Sequence, residues 1–339
     1  MLFRSNIDTH ANDLPLESEL FQEWMVGCSM WGVELGIPVP FRTIFPKNCR
    51  GLLVAGRHFG VDHDLGHALR MIACMEALGQ AAGMVAALAA RRRCTPEKIA
   101  YAELRPLLKL DSTPLAGNAA VWGLTDDAIR AGLDSDRCGC ALWSAKRRVP
   151  PERLREWYDQ ASPGSHLRRH AAFALALKRD PYGIAELRTM VRERDAFAPA
   201  HSRKYNHQRG YVAIFYLGLL ADAGAIGLIA ELLDYTGEKS YEYRSHALMA
   251  LLRIGRALPA TRSRIGQLAA GVLENEQWRL DARLKGTVAA LKRMDPLFRI
   301  AAAAEFDRWQ LPHRIGETLQ RLPLDAMERV LAQSRGVRL

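Results

Sequence analysis

Residues 51–83, GLLVAGRHFGVDHDLGHALRMIACMEALGQAAG, carry the reading on which the fold turns. Gly51-Leu52-Leu53-Val54-Ala55-Gly56 is a short unbroken apolar run between glycines, which predicts a strand buried on both faces. A polar turn from His58 to Gly66 follows, and the Ala-rich sequence beyond it predicts one long helix from near His67 to Arg92. Arg91, Arg92 and Arg93 then fall at its C-terminal end, where cations complement the helix dipole. A strand that ends in a glycine turn and feeds a helix aims free backbone N–H groups beyond the strand, where an anionic group is stabilised. Gly79 and Gly83 lie four apart among Ala81, Ala82 and Ala86, which permits close approach by another layer.

Upstream, GIPVPFRTIFPK at 36–47 carries Pro38, Pro40 and Pro46 and reads as strand and turn. Downstream, Thr95 as N-cap and Pro96 at the first helical position open an expected amphipathic helix through Leu110. DSTPLAG at 111–117 is the candidate linker. A chain of 339 residues exceeds the ~250 at which single cores stop growing, so two cores are expected. The boundaries that follow are 1–112 for an α/β part with short strands and a long helix, 113–160 for a linker and first helices, and 161–335 for helical repeats.

That last region has an internal period. Arg168, Arg209, Arg244 and Arg283 are spaced 41, 35 and 39 residues apart. Small or apolar residues follow each at +3 and +6, as in Ala171 and Ala174 or Val212 and Phe215. Second apolar helices are expected over Ile226–Leu233 and Ile265–Leu273. Helix pairs near a 40-residue period point to HEAT-like repeats stacked as an α-solenoid, with an irregular helical bundle as the alternative. The fold class is therefore mixed and mostly α.

Composition narrows the function classes. The chain is 49% apolar and 25% charged, which excludes disordered and collagen-like chains. The net charge of +10 belongs entirely to the part beyond residue 120, since residues 1–120 hold 12 basic and 12 acidic side chains. Aromatic residues are not interleaved with the basic runs, which disfavours a nucleic-acid platform. Ala77–Ala90 is shorter than the ~20 residues of a bilayer span, so no membrane segment is expected. The N-terminus has acids and Pro15 in place of a secretory h-region, giving a cytoplasmic expectation. Six irregularly spaced cysteines favour neither disulfides nor clusters, and Cys138-x-Cys140 reads as buried filler ahead of a metal or redox pair.

Leu53-Val54-Ala55-Gly56-Arg57, His63-Asp64, Arg70 and Ala77–Gly83, in this order, resemble the C-terminal flavin-binding segment of FAD-dependent oxidoreductases, the heterodisulfide reductase-like group among them. Asn6–His10 and Pro40–Lys47 are similar to the stretch leading into it, so the resemblance spans about residues 5–110. It implies FAD as cofactor, with Gly56 and Arg57 against the flavin or its ribityl chain and His63 and Asp64 near the ring. It also implies Gly66 and His67 at the helix entrance, and Arg70 and Gln80 supporting loop and helix. Where relatives have a small Gly-Ser pair, this chain has His67-Ala68.

No two of the 26 glycines stand two apart, so the G-x-G-x-x-G cradle for the ADP half is absent from this sequence. The expectation is a truncated or split flavoenzyme whose dinucleotide-binding half comes from a separate polypeptide. The 4Fe-4S cluster of some relatives is not supported by the cysteine spacing.

His63 is the candidate catalytic acid or base, set against a plain capping role, and Arg70 is equally readable as a surface ion pair. His63-Asp64-Leu65-Gly66-His67 also resembles a zinc HExxH helix, but Gly66 and a helix start at 67 argue against both rings reaching one metal. The alternative function is a non-enzymatic interaction protein whose helical repeats bind a protein partner, with a basic nucleic-acid-binding solenoid behind it.

Overall fold

The computed structural model describes residues 2–6, 18–30, 34–108, 124–200, 207–274 and 294–311. The expected linker at 111–117 and the fourth repeat anchor, Arg283, lie outside them. The chain divides into two compact units: Met1–His10 with Trp31–Leu124, and Ala11–Met30 with Thr125–Leu339.

In the first unit, β1 (Leu2–Asn6) pairs antiparallel with β2 (Glu34–Pro38), from Leu2 opposite Pro38 to Asn6 opposite Glu34. Pro38 ends the pairing, as its missing N–H requires. After a single 3-10 turn, Phe41–Ile44, the chain reaches the glycine-bounded run. That run is not the doubly buried strand expected. Its backbone is irregular, Leu52 is 53% exposed, and Val54 donates one hydrogen bond to the Ile44 carbonyl at 2.8 Å. The reason is at its ends: Gly51 and Gly56 have φ of +75° and +73°, which turn the chain out of an extended path.

The helix beyond it also differs from expectation. It begins at His63, not at 67, and is broken in two: α2 (His63–Leu69) and α3 (Ile72–Arg92), with Met71 extended between them. Gly66 therefore lies inside α2, its N–H donating to the Asp62 carbonyl at 2.9 Å, and opens no helix. A helix that already covers 63–67 removes the argument that a late start keeps His63 and His67 off one helical face. Both α2 and α3 pack on β1. Cys74, Leu78, Ala81, Val85 and Ala89 form the buried face of α3, and Arg93 ends it in the left-handed conformation. At 21 residues α3 is long and apolar enough to cross a membrane, which corrects the length argument drawn from Ala77–Ala90 alone.

The amphipathic helix expected to run to Leu110 is instead a 3-10 turn at Pro96–Lys98, a single α-turn α4 (Tyr101–Leu104) and another 3-10 turn at Arg105–Leu107. Pro106 explains it, because proline breaks the helical hydrogen-bond ladder and disfavours α geometry at the residue before it.

The second unit is helical. Its first piece is α1 (Glu19–Gln22), capped by Ser18, which passes into a π-turn at Glu23–Gly27. Then come α5 (Asp126–Leu133), α6 (Gly139–Arg148), α7 (Pro151–Gln160), α8 (His166–Leu177) and α9 (Ile184–Glu193). They are followed by α10 (Arg209–Leu219), α11 (Ile226–Ala230), α12 (Ser240–Ala257), α13 (Arg262–Glu274) and α14 (Met294–Arg308). Thr125 and Ser165 accept from N–H groups of the first turns of α5 and α8.

The packing is ordered. Within the pairs α8/α9, α10/α11 and α12/α13, each first helix packs on the next first helix and each second on the next second. The arginine anchors have a definite role in this. Arg168 donates to the Tyr158 carbonyl at 3.0 Å and Arg244 to the Leu233 carbonyl at 2.9 Å, so each satisfies a carbonyl near the end of an earlier helix. Arg209 instead pairs with Asp195 at 2.8 Å and lies over the Phe197 ring. The +3 and +6 positions Ala171, Ala174, Val212, Phe215, Ala247 and Ala250 are all buried.

Candidate functional site

The candidate site is the turn from Gly51 to Arg70 with the start of α3. Gly56, in the left-handed region, opens a 3-10 turn over Gly56–His58 that packs on α3. An added Cβ at Gly56 meets nothing within 4 Å, so the surface above it is open. Arg57 reaches across the turn and donates its Nε to the Arg70 carbonyl at 3.2 Å, which satisfies a carbonyl left by the break between α2 and α3.

The other end of the turn is held by a residue that no motif or spacing singles out. The Gly51 N–H donates to Glu97 Oε1 at 2.7 Å, across 46 residues. Hydrogen bonds from its own backbone, from Thr95 and from Gly51 hold the Glu97 carboxyl below the usual carboxylate range.

The structure thus brings Gly56, Arg57 and Arg70 together. Gln80 stands apart: it is exposed on α3, eight residues beyond Ile72 and about 12 Å along the helix axis. His63, Asp64 and His67 are placed on α2 by their backbone, and their side chains lie outside the described atoms. His58 is exposed on the 3-10 turn. Leu52, Val61, Met71 and Ile72 are exposed large apolar side chains on the flanking segments, Ile72 at 72%. Exposed apolar groups on the segments that flank an open glycine and a cation suit an apolar, partly polar ring system better than a bare anion. The cysteine pair lies elsewhere, at the start of α6, where burial pushes the Cys138 thiol up to about 12 and raises that of Cys140.

Residues 5–108 match the family described as FAD dependent oxidoreductase. No curated protein and no solved structure matches the chain. The family match, under a third of the chain, covers the whole candidate turn and none of α5–α14.

The residues present fit one end of FAD. The open Gly56 surface, the pinned Arg57 and the exposed apolar side chains suit the isoalloxazine and ribityl end, whereas the glycine cradle for the pyrophosphate is absent from the sequence.

Proposed function

We propose that the first unit forms the flavin-end portion of an FAD-dependent oxidoreductase of the heterodisulfide reductase-like group. FAD supplies hydride or electron transfer to or from a small molecule, chemistry that no side chain here provides. Gly56 and Arg57 are assigned to the flavin or its ribityl chain, with the Arg70 carbonyl holding Arg57. His63, beside Asp64, is assigned the accompanying proton, since an imidazole titrates near neutral pH. Gly66, His67 and Gln80 belong to the supporting helices. Polypeptide outside this chain supplies the dinucleotide-binding half, so the chain alone holds FAD weakly. Six free cysteines accord with a reducing cytoplasmic compartment.

The observation that carries this reading is Gly56, at φ +73° with an open surface above it, inside the stretch that matches the family. Titration of the full chain with FAD, followed by flavin anisotropy and melting temperature, tests it. Binding is expected in wild type and lost in Gly56→Leu, which strains the backbone and fills the open face, at a stability cost of about 1 kcal/mol. A chain that neither binds FAD nor is stabilised by excess FAD contradicts it.

A second reading is favoured by the helical unit's ordered packing. Pairs joined first-to-first and second-to-second, with arginines on the carbonyls of preceding helices, are the arrangement expected of HEAT-like repeats. In that reading the chain is a protein-binding scaffold, and the flavin segment is a remnant.

A further inference from the structure

The layer formed by α6, α8, α10 and α12 already holds a ligand-like segment of the chain itself. Residues 18–30, SELFQEWMVGCSM, contain two glutamates and no basic residue. They are one short helical turn and a π-turn, inserted in the sequence between β1 and β2 yet part of the helical unit. Each cation that meets the segment comes from a different place along the layer. Lys146, in the last turn of α6, pairs with Glu23. Arg179, in the turn after α8, pairs with Glu19 and lies 3.2 Å from Glu23. Arg253, on α12, donates to the Gln22 side chain and stands over the Phe215 ring of α10 at 4.9 Å.

The apolar contacts are equally distributed. Trp24 meets Trp143 of α6 edge-on at 5.4 Å, and the π-turn packs on α8 and α10. Gly27 approaches the Tyr216 hydroxyl so closely that an added Cβ falls 2.8 Å from it. Phe21, Met25, Val26, Cys28 and Met30 are all buried. Glu23 is buried with two cations beside it, and a buried carboxylate in that position is tolerated only while its partners stay in place. Burial lowers Arg253 to about 10, against the opposing pull of the Glu19 and Glu23 carboxylates.

Successive helices of one layer, each giving a cation or an aromatic ring to one short acidic segment, form a recognition groove as well as a core. We propose that this layer is a receptor for a short acidic helical segment, and that residues 18–30 occupy it as an intramolecular ligand. The glutamates four apart supply register, Gln22 and Trp24 supply specificity, and the apolar side chains supply area. Because the segment is tied at both ends to the first unit, it latches the β1–β2 connection to the helical layer.

The test uses the full chain with Glu23→Lys, which sets a cation against Lys146 and Arg179. Hydrogen exchange of the 19–28 amides is expected to rise at least tenfold while α8 and α10 stay protected, and Glu23→Lys with Lys146→Glu restores protection. A labelled peptide of residues 15–33 is expected to bind the Glu23→Lys chain at least tenfold tighter than wild type, whose groove is filled. Exchange that rises across the whole unit, or a segment that stays protected, overturns the proposal, as does failure of the vacated chain to take up the peptide. Should Glu23→Lys not fold, Glu19→Lys at the exposed end of the segment decides. An exchange increase of at least threefold confined to 19–28 supports the latch, and no confined increase overturns it.

Discussion

At the scale of single residues, the helical unit keeps two histidines neutral in its interior. Burial lowers His207 to about 4 with help from nearby Lys239, and lowers His246 to about 3 with help from His207 and Arg253. His246 stacks on Tyr211 at 5.3 Å, and the Tyr211 hydroxyl lies 3.3 Å from His207 Nδ1. Both folded values lie below the unfolded value near 6.5, so the unfolded chain binds protons that the native chain refuses. The stability they permit is complete above about pH 6.5 and declines as pH falls toward 4 for His207 and 3 for His246. The slope is about 1.4 kcal/mol per pH unit for each histidine. His246→Phe keeps the stack and removes one proton site. Unfolding free energies from urea titrations at pH 7 and pH 5 should therefore differ less in the variant than in wild type, by about 2 kcal/mol, and an unchanged difference contradicts the account. Neither histidine showed this in the sequence, where both stood among scattered arginines; the stacked tyrosine lies 35 residues away from His246 and only the helix packing joins them.

At the scale of elements, the legible features are those that depend on neighbours along the chain. The arginine anchors and their buried +3 and +6 positions follow from local periodicity. The glycine-bounded run at 51–56 failed for the opposite reason: an apolar run becomes a buried strand only when other layers cover it, and here two positive-φ glycines bend it into a turn. The expectation of a helix to Leu110 passed over Pro106, which breaks it, whereas the Glu97–Gly51 bond had no local signal at all. Close helix contact follows the same division. Gly218 on α10 lies against the backbone of α12, an added Cβ falling 2.8 Å from the Ala250 Cα, and only the paired structure reveals that its side chain must be absent. Backbone cannot yield as a flexible side chain does, so Gly218→Ala is expected to force α10 and α12 apart at a cost of about 1–3 kcal/mol. A drop in the urea midpoint checks it. Gly83→Ala, on the open side of α3 with nothing within 4 Å, should leave the midpoint unchanged or slightly raised and serves as the control.

At the scale of the whole molecule, the charge count groups residues 1–120 as one neutral part, and the structure redraws that line. The stretch Ala11–Met30 belongs to the helical unit, so the chain crosses between the units before it has finished the first. Beyond residue 120 Arg155 pairs with Asp180, Arg188 with Asp222 and the buried Arg209 with Asp195; each pair takes one acid with one base, so the pairing leaves the net excess of ten unchanged. Each unit has its own buried core, Leu78 and Val85 among the first and Phe215 and Leu251 among the second. Calorimetry on the full chain is therefore expected to resolve a transition for each unit. Gly56→Leu should lower the first unit's transition alone, and FAD, where it binds, should raise that same transition. Glu23→Lys, a change within the helical unit, should leave the Gly56-sensitive transition in place. If Glu23→Lys moves that transition, the two units do not melt independently, and the redox reading of the first then rests on flavin binding by itself.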